Sequence, residues 1–317
     1  MPKQTMDRRN ALGLMGVSAG AAFLKTSSPS MLKSGVVQKP AFTFCLNMAT
    51  IRGHKLGFVK ELETASKAGF GSVEIWMDSL QAYLQGGGTL IDVKKRLSDL
   101  GLKVENSIGF AKWMVDHEGT RKEAIEQLKH EMELLAQIGC KRMAATGAGV
   151  SFEAGVEPRL IADRYRVILE LSDHTGVVPL LEMWGFMKNV SKASEVLSAA
   201  MESGHPNAKV LLDVFHLFKG NTPLDTLHLM NPVANDILHM NDYPDTLSRE
   251  VITDADRIYP GDGVAPLKTI LQILKRDDQP LILSCEVFNK TYYSQDALTV
   301  AKTSLAKMKT VVDTLEQ

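Results

Sequence analysis

Several protein classes are excluded by what the sequence lacks. Its 317 residues include only three cysteines and no CxxC pair, so neither a disulfide framework nor a zinc finger is indicated. The formal net charge of −1 offers no electrostatic attraction to nucleic acid or to an anionic membrane. Beyond the N-terminus no run reaches the ~18 apolar residues of a membrane-spanning helix, and no GxGxxG or Walker pattern follows an early strand. With 44% hydrophobic residues, the chain has the composition of an ordinary globular protein.

The N-terminus has the composition of an export signal. Arg8 and Arg9 precede a Gly/Ala-rich apolar run over residues 11–24. A basic region followed by a short apolar segment is typical of export signals, and the adjacent arginines resemble the twin-arginine type. We therefore predict an export signal and linker over residues 1–35, a folded domain over residues 36–317, and a periplasmic or otherwise exported location. An ordinary N-terminal helix is the alternative.

From residue 40 onward, short apolar runs alternate with longer segments of helical period. The predicted strands span residues 42–49, 72–76, 103–110, 141–146, 177–184, 209–216, 236–241 and 280–288. The predicted helices span residues 55–68, 91–100, 122–138, 161–175, 192–203, 223–230, 266–276 and 296–315. Strands alternating with helices indicate a parallel sheet covered by helices, and eight such units predict a single α/β (β/α)8 TIM barrel. A doubly wound open sheet is the alternative.

The last four predicted strands each end in a charged or imidazole side chain. These residues are Glu182, Asp213, His239 and Glu286, and each follows three or more apolar residues or ends such a run. The strands of a barrel present their carboxyl ends on one face, so the four side chains are expected to converge. Buried carboxylates are costly unless they are paired, protonated or bound to metal. Three carboxylates with one imidazole suit Mn2+ best, with Mg2+, Co2+ or Zn2+ as alternatives.

The motifs around these residues resemble the xylose isomerase-like TIM barrels, especially sugar (phosphate) isomerases and epimerases related to ketose 3-epimerases. The resemblance covers the chain from about residue 42 onward. It is carried by Leu-Glu182, Asp213-Val-Phe-His216, His239-Met-Asn-Asp, Arg257-Ile-Tyr-Pro-Gly-Asp-Gly263 and Glu286. It implies that the Glu, Asp, His and Glu bind the metal, and that His216 and Arg257 contact the substrate. It also implies a carbohydrate substrate and, as one expected assembly, a homodimer.

The resemblance implies a mechanism in which Glu182 and Glu286 are the catalytic residues. They would remove and return a proton next to a metal-bound carbonyl, through an enediolate. One departure concerns Lys188, which stands where ketose 3-epimerases carry a substrate-binding Glu; it is a candidate substrate contact that makes free ketoses doubtful as substrates. Trp184 and Trp113 are further candidates, since an indole stacks on a sugar ring, although packing explains them equally well.

Three other functions fit parts of the pattern. An apurinic endonuclease of the same superfamily would need histidines at the ends of strands two and three, and the sequence has none there. A lyase acting on a keto-glycoside would begin with the same proton removal and then expel a neighbouring substituent. A non-catalytic sugar-binding protein would be indicated by loss of a metal ligand, whereas all four are present.

Overall fold

The computed structural model of the chain describes residues 41–315. The predicted signal and linker over residues 1–35 lie outside the described residues. No helix among the described residues combines the length and the apolar character needed to cross a membrane.

Eight parallel strands form one sheet in the order β3-β2-β1-β8-β7-β6-β5-β4. They are β1 Phe42–Asn47, β2 Ser72–Trp76, β3 Lys103–Ile108, β4 Arg142–Ala145, β5 Val178–Glu182, β6 Lys209–Asp213, β7 Asn235–Met240 and β8 Leu281–Cys285. Because β1 pairs with both β2 and β8, the sheet curls into a near-closed barrel with helices in the connections. The predicted single α/β barrel is confirmed.

The connections carry more helices than the periodicity predicts. The α-helices are α1 Ala49–Arg52, α2 Phe58–Ala68, α3 Met77–Gln85, α4 Leu90–Asp99, α5 Glu118–Gln137, α6 Pro158–Glu170, α7 Ser172–Thr175, α8 Ala193–Glu202, α9 Val214–Lys219, α10 Leu267–Leu274, α11 Lys290–Tyr293 and α12 Ala297–Asp313. Short 3-10 helices span Leu224–Leu229, Pro232–Ala234 and Asp254–Asp256. The helix predicted over residues 223–230 is thus a 3-10 helix over Leu224–Leu229, and Pro232 begins the next one.

The strand predicted over residues 209–216 is too long by three residues. The carboxylate of Asp213 accepts a hydrogen bond from the backbone N–H of His216 at 2.8 Å and thereby caps the N-terminus of α9. Such a cap satisfies one of the free donors in the first turn of a helix. His216 therefore lies on the first turn of a helix directly above β6, which holds its side chain next to Asp213.

The barrel is closed between β3 and β4 by side chains, since no ladder joins these two strands. The guanidinium of Arg142 donates to a carboxylate oxygen of Glu105 at 3.4 Å. Near the other end, the hydroxyl of Thr146 donates to the carbonyl of Gly109 at 3.2 Å, and the indole of Trp113 donates to the carbonyl of Thr146 at 2.8 Å. Trp113 is thus a structural element of this seam.

The three cysteines are buried and unpaired. Cys45, Cys140 and Cys285 each lie in or beside a strand, where burial raises the pKa of each thiol. A thiol with a raised pKa stays protonated at neutral pH and is a poor nucleophile. These residues therefore serve as small core side chains.

A buried ionic cluster near the start of β7 is centred on Asp236. Its carboxylate accepts hydrogen bonds from Arg142 Nε at 2.9 Å, Lys209 Nζ at 2.7 Å and Arg276 Nη1 at 2.7 Å. Burial alone would raise the pKa of Asp236, but Lys209 and Arg142 lower it below 3.8. Its contribution to stability is therefore present above the unfolded-state pKa and is lost as the pH falls through the lower folded-state pKa.

Replacing Asp236 by Asn is expected to lower the free energy of unfolding at pH 7 by roughly 3–5 kcal/mol, because it leaves three buried or half-buried cations without their shared anion. Urea denaturation at several pH values measures this loss. It should stay constant from pH 7 down to about pH 4 and shrink only as the pH falls further, through the lowered folded-state pKa at which the wild-type carboxyl becomes protonated. The exposed Asp277→Asn variant is the matched control and should unfold like wild type. A loss of stability that stayed constant below about pH 4 as well would contradict the assignment.

Candidate active site

Three carboxylates converge on one nitrogen at the carboxyl ends of the strands. His239 Nδ1 lies 3.1 Å from a carboxylate oxygen of Glu286, 3.6 Å from Glu182 and 3.8 Å from Asp213. All four side chains are buried, with at most 5% of each residue exposed. One ligand atom from each of Asp213, His239 and Glu286 lies within 4.8 Å of the others, which is the spacing of a metal-binding group. The structure thus brings together the four residues whose side chains the sequence predicts to converge.

The orientation of His239 is set by Glu74. The sequence alone does not decide whether the Glu74 side chain points into the barrel or away from it. Glu74 ends no apolar run; it lies within β2 and points into the barrel, where both of its oxygens lie 3.0–3.1 Å from His239 Nε2. Asn106 and Ser284 also donate hydrogen bonds to Glu74. A carboxylate that holds the far nitrogen of a metal-binding imidazole fixes its tautomer and its orientation.

The donor set fits a divalent cation. When Nε2–H donates to Glu74, the lone pair of His239 lies on Nδ1, a buried atom that forms no well-directed hydrogen bond among the described residues. Burial alone would lower the pKa of His239, but the carboxylates of Glu286 and Glu74 raise it well above 6.5. A bound cation would take the place of the Nδ1 proton among the three carboxylates.

Arg257 reaches the same cluster from the loop after β7. Its Nη1 donates to Asp213 at 2.8 Å and to Glu286 at 2.9 Å. Its Nη2 donates to Asp254 and to Nε2 of His216, the latter at 3.2 Å. Only 1% of Arg257 is exposed. A buried charge is costly unless it is paired, and the carboxylates of Asp213, Glu286 and Asp254 balance the charge of this guanidinium.

The contact with Arg257 determines which nitrogen of His216 carries the proton. A guanidinium only donates hydrogen bonds, so Nε2 of His216 must be the acceptor. Burial, together with the charge of Arg257, lowers the pKa of His216 to about 3 in spite of the nearby Asp213. The imidazole is therefore neutral, and its remaining proton lies on Nδ1, which has no partner among the described residues. Because Nδ1 is itself buried, His216 faces the cavity with other atoms of its ring.

The two glutamates that flank His239 differ in environment. Glu286 accepts hydrogen bonds from Asn47 at 3.0 Å and from Arg257 at 2.9 Å. Burial alone would raise the pKa of Glu286, but His239 and Arg257 lower it. For Glu182, burial raises the pKa to about 8, because the opposing effect of His239 is smaller. Two carboxyl groups with opposite pKa shifts are suited to opposite roles in proton transfer.

Asp242 anchors the loop that delivers Arg257. Its carboxylate accepts hydrogen bonds from the backbone N–H groups of Gly261, Gly263 and Ala265 at 2.8–3.0 Å, and its backbone pairs with Ile258. In the sequence, Asp242 is recognisable only as the last residue of the His239-Met-Asn-Asp motif. Its role became visible only in the fold, where one carboxylate joins the end of β7 to the Pro-Gly-Asp-Gly turn.

The cluster forms one side of a cavity of about 390 Å3. The polar residues that line it are Glu182, His216, Asp254, Arg257 and Glu286. The other lining residues are Ile108, Ala255 and six aromatic residues, namely Trp76, Phe110, Phe152, Trp184, Phe186 and Phe288. A concave, mostly apolar site with a few convergent polar groups is typical of small-molecule binding.

Two candidate substrate contacts lie elsewhere. Trp113 is 1% exposed and packs against Tyr165 with ring centroids 6.1 Å apart, so of the two explanations of this residue the structure favours packing. Lys188 is exposed and does not line the cavity; its backbone N–H donates to the carbonyl of Phe152. Trp184 does line the cavity. Sequence spacing located the loop after β5 correctly but not the direction of each side chain within it.

Comparison with known proteins gives matches over most of the chain. A family model described as "Xylose isomerase-like TIM barrel" matches residues 62–311. An inosose isomerase from Halalkalibacterium halodurans is 28% identical over 283 residues, which cover 86% of this chain and 98% of the relative. The crystal structure of IolI protein with a bound zinc atom superposes with a TM-score of 0.77 at 23% identity, covering 86% of this chain and 99% of that one. The structure of L-ribulose 3-epimerase has a TM-score of 0.67 at 18% identity, covering 87% and 96%.

Proposed function

The chain belongs to the xylose isomerase-like TIM barrel family, and we propose that it is a divalent-metal-dependent isomerase or epimerase of a sugar or sugar derivative. The observation that carries the proposal is the convergence of Glu182, Asp213 and Glu286 on His239 Nδ1 beside a ligand-sized cavity. The relatives named inosose isomerase support a cyclic polyhydroxy ketone as the first substrate to examine.

A divalent ion held by Glu182, Asp213, His239 and Glu286 would supply Lewis-acid polarisation of a substrate carbonyl. Its identity is proposed as Mn2+, with Mg2+, Co2+ and Zn2+ as alternatives; a zinc atom is bound in the IolI structure. Glu74 keeps the imidazole of His239 in the orientation that this binding requires.

The proton transfer is proposed for the two glutamates. Glu286, whose pKa is lowered, is the carboxylate that accepts a proton from the carbon next to the carbonyl. Glu182, the other carboxyl group that lines the cavity next to His239, is proposed to exchange a proton with the opposite face of the same carbon. His216 lines the cavity as a neutral imidazole that Arg257 holds in place, and it is proposed to contact the substrate. Arg257 holds the carboxylates of Asp213 and Glu286 in place.

The alternative is a lyase that uses the same proton removal to expel a substituent from a keto-glycoside. The aromatic lining of the cavity favours this alternative, because it offers an apolar surface next to the polar cluster. Export of the protein, proposed from Arg8, Arg9 and the apolar run that follows, is compatible with an unphosphorylated substrate of either reaction.

The test is to incubate the full-length protein, loaded with Mn2+, with an inosose in D2O and to follow the substrate by NMR. We expect deuterium at the carbon next to the carbonyl and the appearance of an isomeric ketone. Glu286→Gln should slow this exchange by roughly a hundredfold or more, since it removes the accepting carboxylate. The exposed Glu126→Gln variant on α5 is the matched control and should exchange like wild type.

The same assay separates the alternatives. Release of the aglycone from a keto-glycoside, with no isomer formed, would replace the isomerase by the lyase. Binding of these ketones without any exchange or release would make the protein a non-catalytic sugar-binding protein and overturn the proposal.

A further inference from the structure

One wall of the cavity is built almost entirely from aromatic rings. We call Trp76, Phe110, Phe152, Trp184, Phe186 and Phe288 the aromatic arc. Trp76 ends β2 and the other members follow β3, β4, β5 and β8, so five separate parts of the chain contribute to it. The polar residues of the cavity end β5 or follow β6, β7 and β8. The aromatic and polar residues meet inside the cavity, where Phe186 packs against His216 with ring centroids 5.1 Å apart and the guanidinium of Arg257 lies 5.3 Å from the centre of the Phe288 ring.

The rings contact one another in two groups. Trp76 packs against Phe110 and Phe288, with ring centroids 5.3 and 6.3 Å apart. Phe186 packs against Phe152 and Trp184, with centroids 4.7 and 5.5 Å apart. Such tilted and edge-on contacts fix the orientation of each ring. The arc is thus a pre-formed surface that a ligand would meet without first ordering loose side chains.

The arc offers little to the hydroxyl groups of a bare sugar. Four of its six members are phenylalanines, which have no polar atom, and the indole N–H of Trp76 already donates to Asn47 at 3.1 Å. Trp184 supplies the remaining indole N–H. A polyol placed against this surface would lose water at its hydroxyls without gaining hydrogen bonds, which costs free energy for each group. One ring suffices to stack on a sugar, so six rings call for a different partner.

Phe110 and Phe152 leave a large apolar area uncovered. Each is 46% exposed, although each lines the cavity and packs on other rings of the arc. Contiguous exposed apolar surface in a soluble protein is typical of a ligand-binding site. A flat aromatic group that lay between the rings would cover this surface and gain offset or edge-on contacts.

Resting on the proposed function, we propose that the substrate is a sugar ketone that carries an aromatic substituent, such as an aryl keto-glycoside. The polyhydroxy ketone part contacts Glu182, His216 and Glu286, and the aryl group lies on the aromatic arc. A ligand with a polyhydroxy ketone and an aryl group would use both kinds of lining residue, which accounts for a cavity that combines a charged cluster with six rings.

The experiment is isothermal titration calorimetry on the full-length, Mn2+-loaded protein with matched pairs of glycosides. The probes are the phenyl and methyl 3-keto-β-D-glucopyranosides and the phenyl and methyl 3-keto-β-D-galactopyranosides, which carry the ketone that the proposal requires. We expect the phenyl member of at least one pair to bind tenfold or more tighter than its methyl partner. In Phe152→Ala that preference should fall below threefold, while Leu229→Ala, which changes an 89% exposed side chain outside the cavity lining, should keep it.

Equal affinities within both pairs, or no binding of either phenyl glycoside, would overturn the proposal. So would a phenyl preference that survives unchanged in both Phe152→Ala and Phe110→Ala. The inosose exchange assay keeps the two failures apart. If the protein exchanges the inosose proton but shows no phenyl preference, only the proposal of an aromatic substituent is overturned. If it shows neither exchange nor a phenyl preference, the proposed isomerase function is overturned as well.

Discussion

His239→Ala is expected to reduce the bound divalent metal to less than a tenth of the wild-type content and to lower isomerase activity by roughly a thousandfold. The imidazole is the one nitrogen donor of the cluster, and its Nδ1 is the atom on which Glu182, Asp213 and Glu286 converge. Without it, three buried carboxylates repel one another with only Arg257 to balance them. Elemental analysis of the purified, Mn2+-loaded protein and the inosose exchange assay measure the two effects.

Glu74→Gln provides a graded comparison. It removes the negative charge next to His239 Nε2 but keeps an amide oxygen that can accept a hydrogen bond from that nitrogen. The imidazole therefore stays in place, but its orientation is held less firmly. We expect its metal affinity to fall by roughly 10–100-fold, less than in His239→Ala. His228→Ala changes an exposed histidine outside the cluster and should bind metal like wild type. Wild-type metal content in His239→Ala would contradict the proposed site, provided that circular dichroism shows the variant to be folded.

Gly220→Ala is expected to destabilise the protein by roughly 3 kcal/mol or more, and in cells to reduce the yield of soluble protein. A Cβ atom at this position would lie 1.7 Å from the carbonyl oxygen of Ser191 and 3.2 Å from the Cα of Gly185. Both are backbone atoms, which cannot move aside as a side-chain end can. The φ of Gly220 is −81°, which alanine adopts readily, so the effect is purely steric.

The close approach of Gly185 and Gly220 has a consequence for the site. It lets the loop after β5 contact the end of α9 directly. The loop carries Trp184 and Phe186, and the helix carries His216. Urea denaturation measures the stability of Gly220→Ala, and a more stable background keeps it measurable if the variant is marginal. Gly71→Ala is the matched control, because its Cβ would meet no atom within 4 Å. Equal stability of the two variants would show that the loops have room to separate.

The sequence was sufficient for the architecture and for the convergence of Glu182, Asp213, His239 and Glu286. Eight alternations of strand and helix predict a barrel, and parallel strands of a barrel end on one face. The charged or imidazole side chains at the ends of the last four strands are therefore expected to converge, and this expectation does not depend on how the rest of the core packs. The lengths of elements were less predictable: β6 ends at Asp213 because that carboxylate caps α9, a local hydrogen bond that hydrophobic periodicity does not report.

Side-chain direction was decided only by the tertiary structure. Glu74 and His239 are 165 residues apart, and their contact depends on the pleat and the register of β2 relative to the rest of the barrel. The same holds for Trp113, which the β3–β4 seam buries, and for Lys188, which the loop after β5 turns towards solvent. A strand alternates its two faces, so a shift of one residue exchanges core and surface. Composition and spacing do not determine that register; the packing of all eight strands into one barrel does.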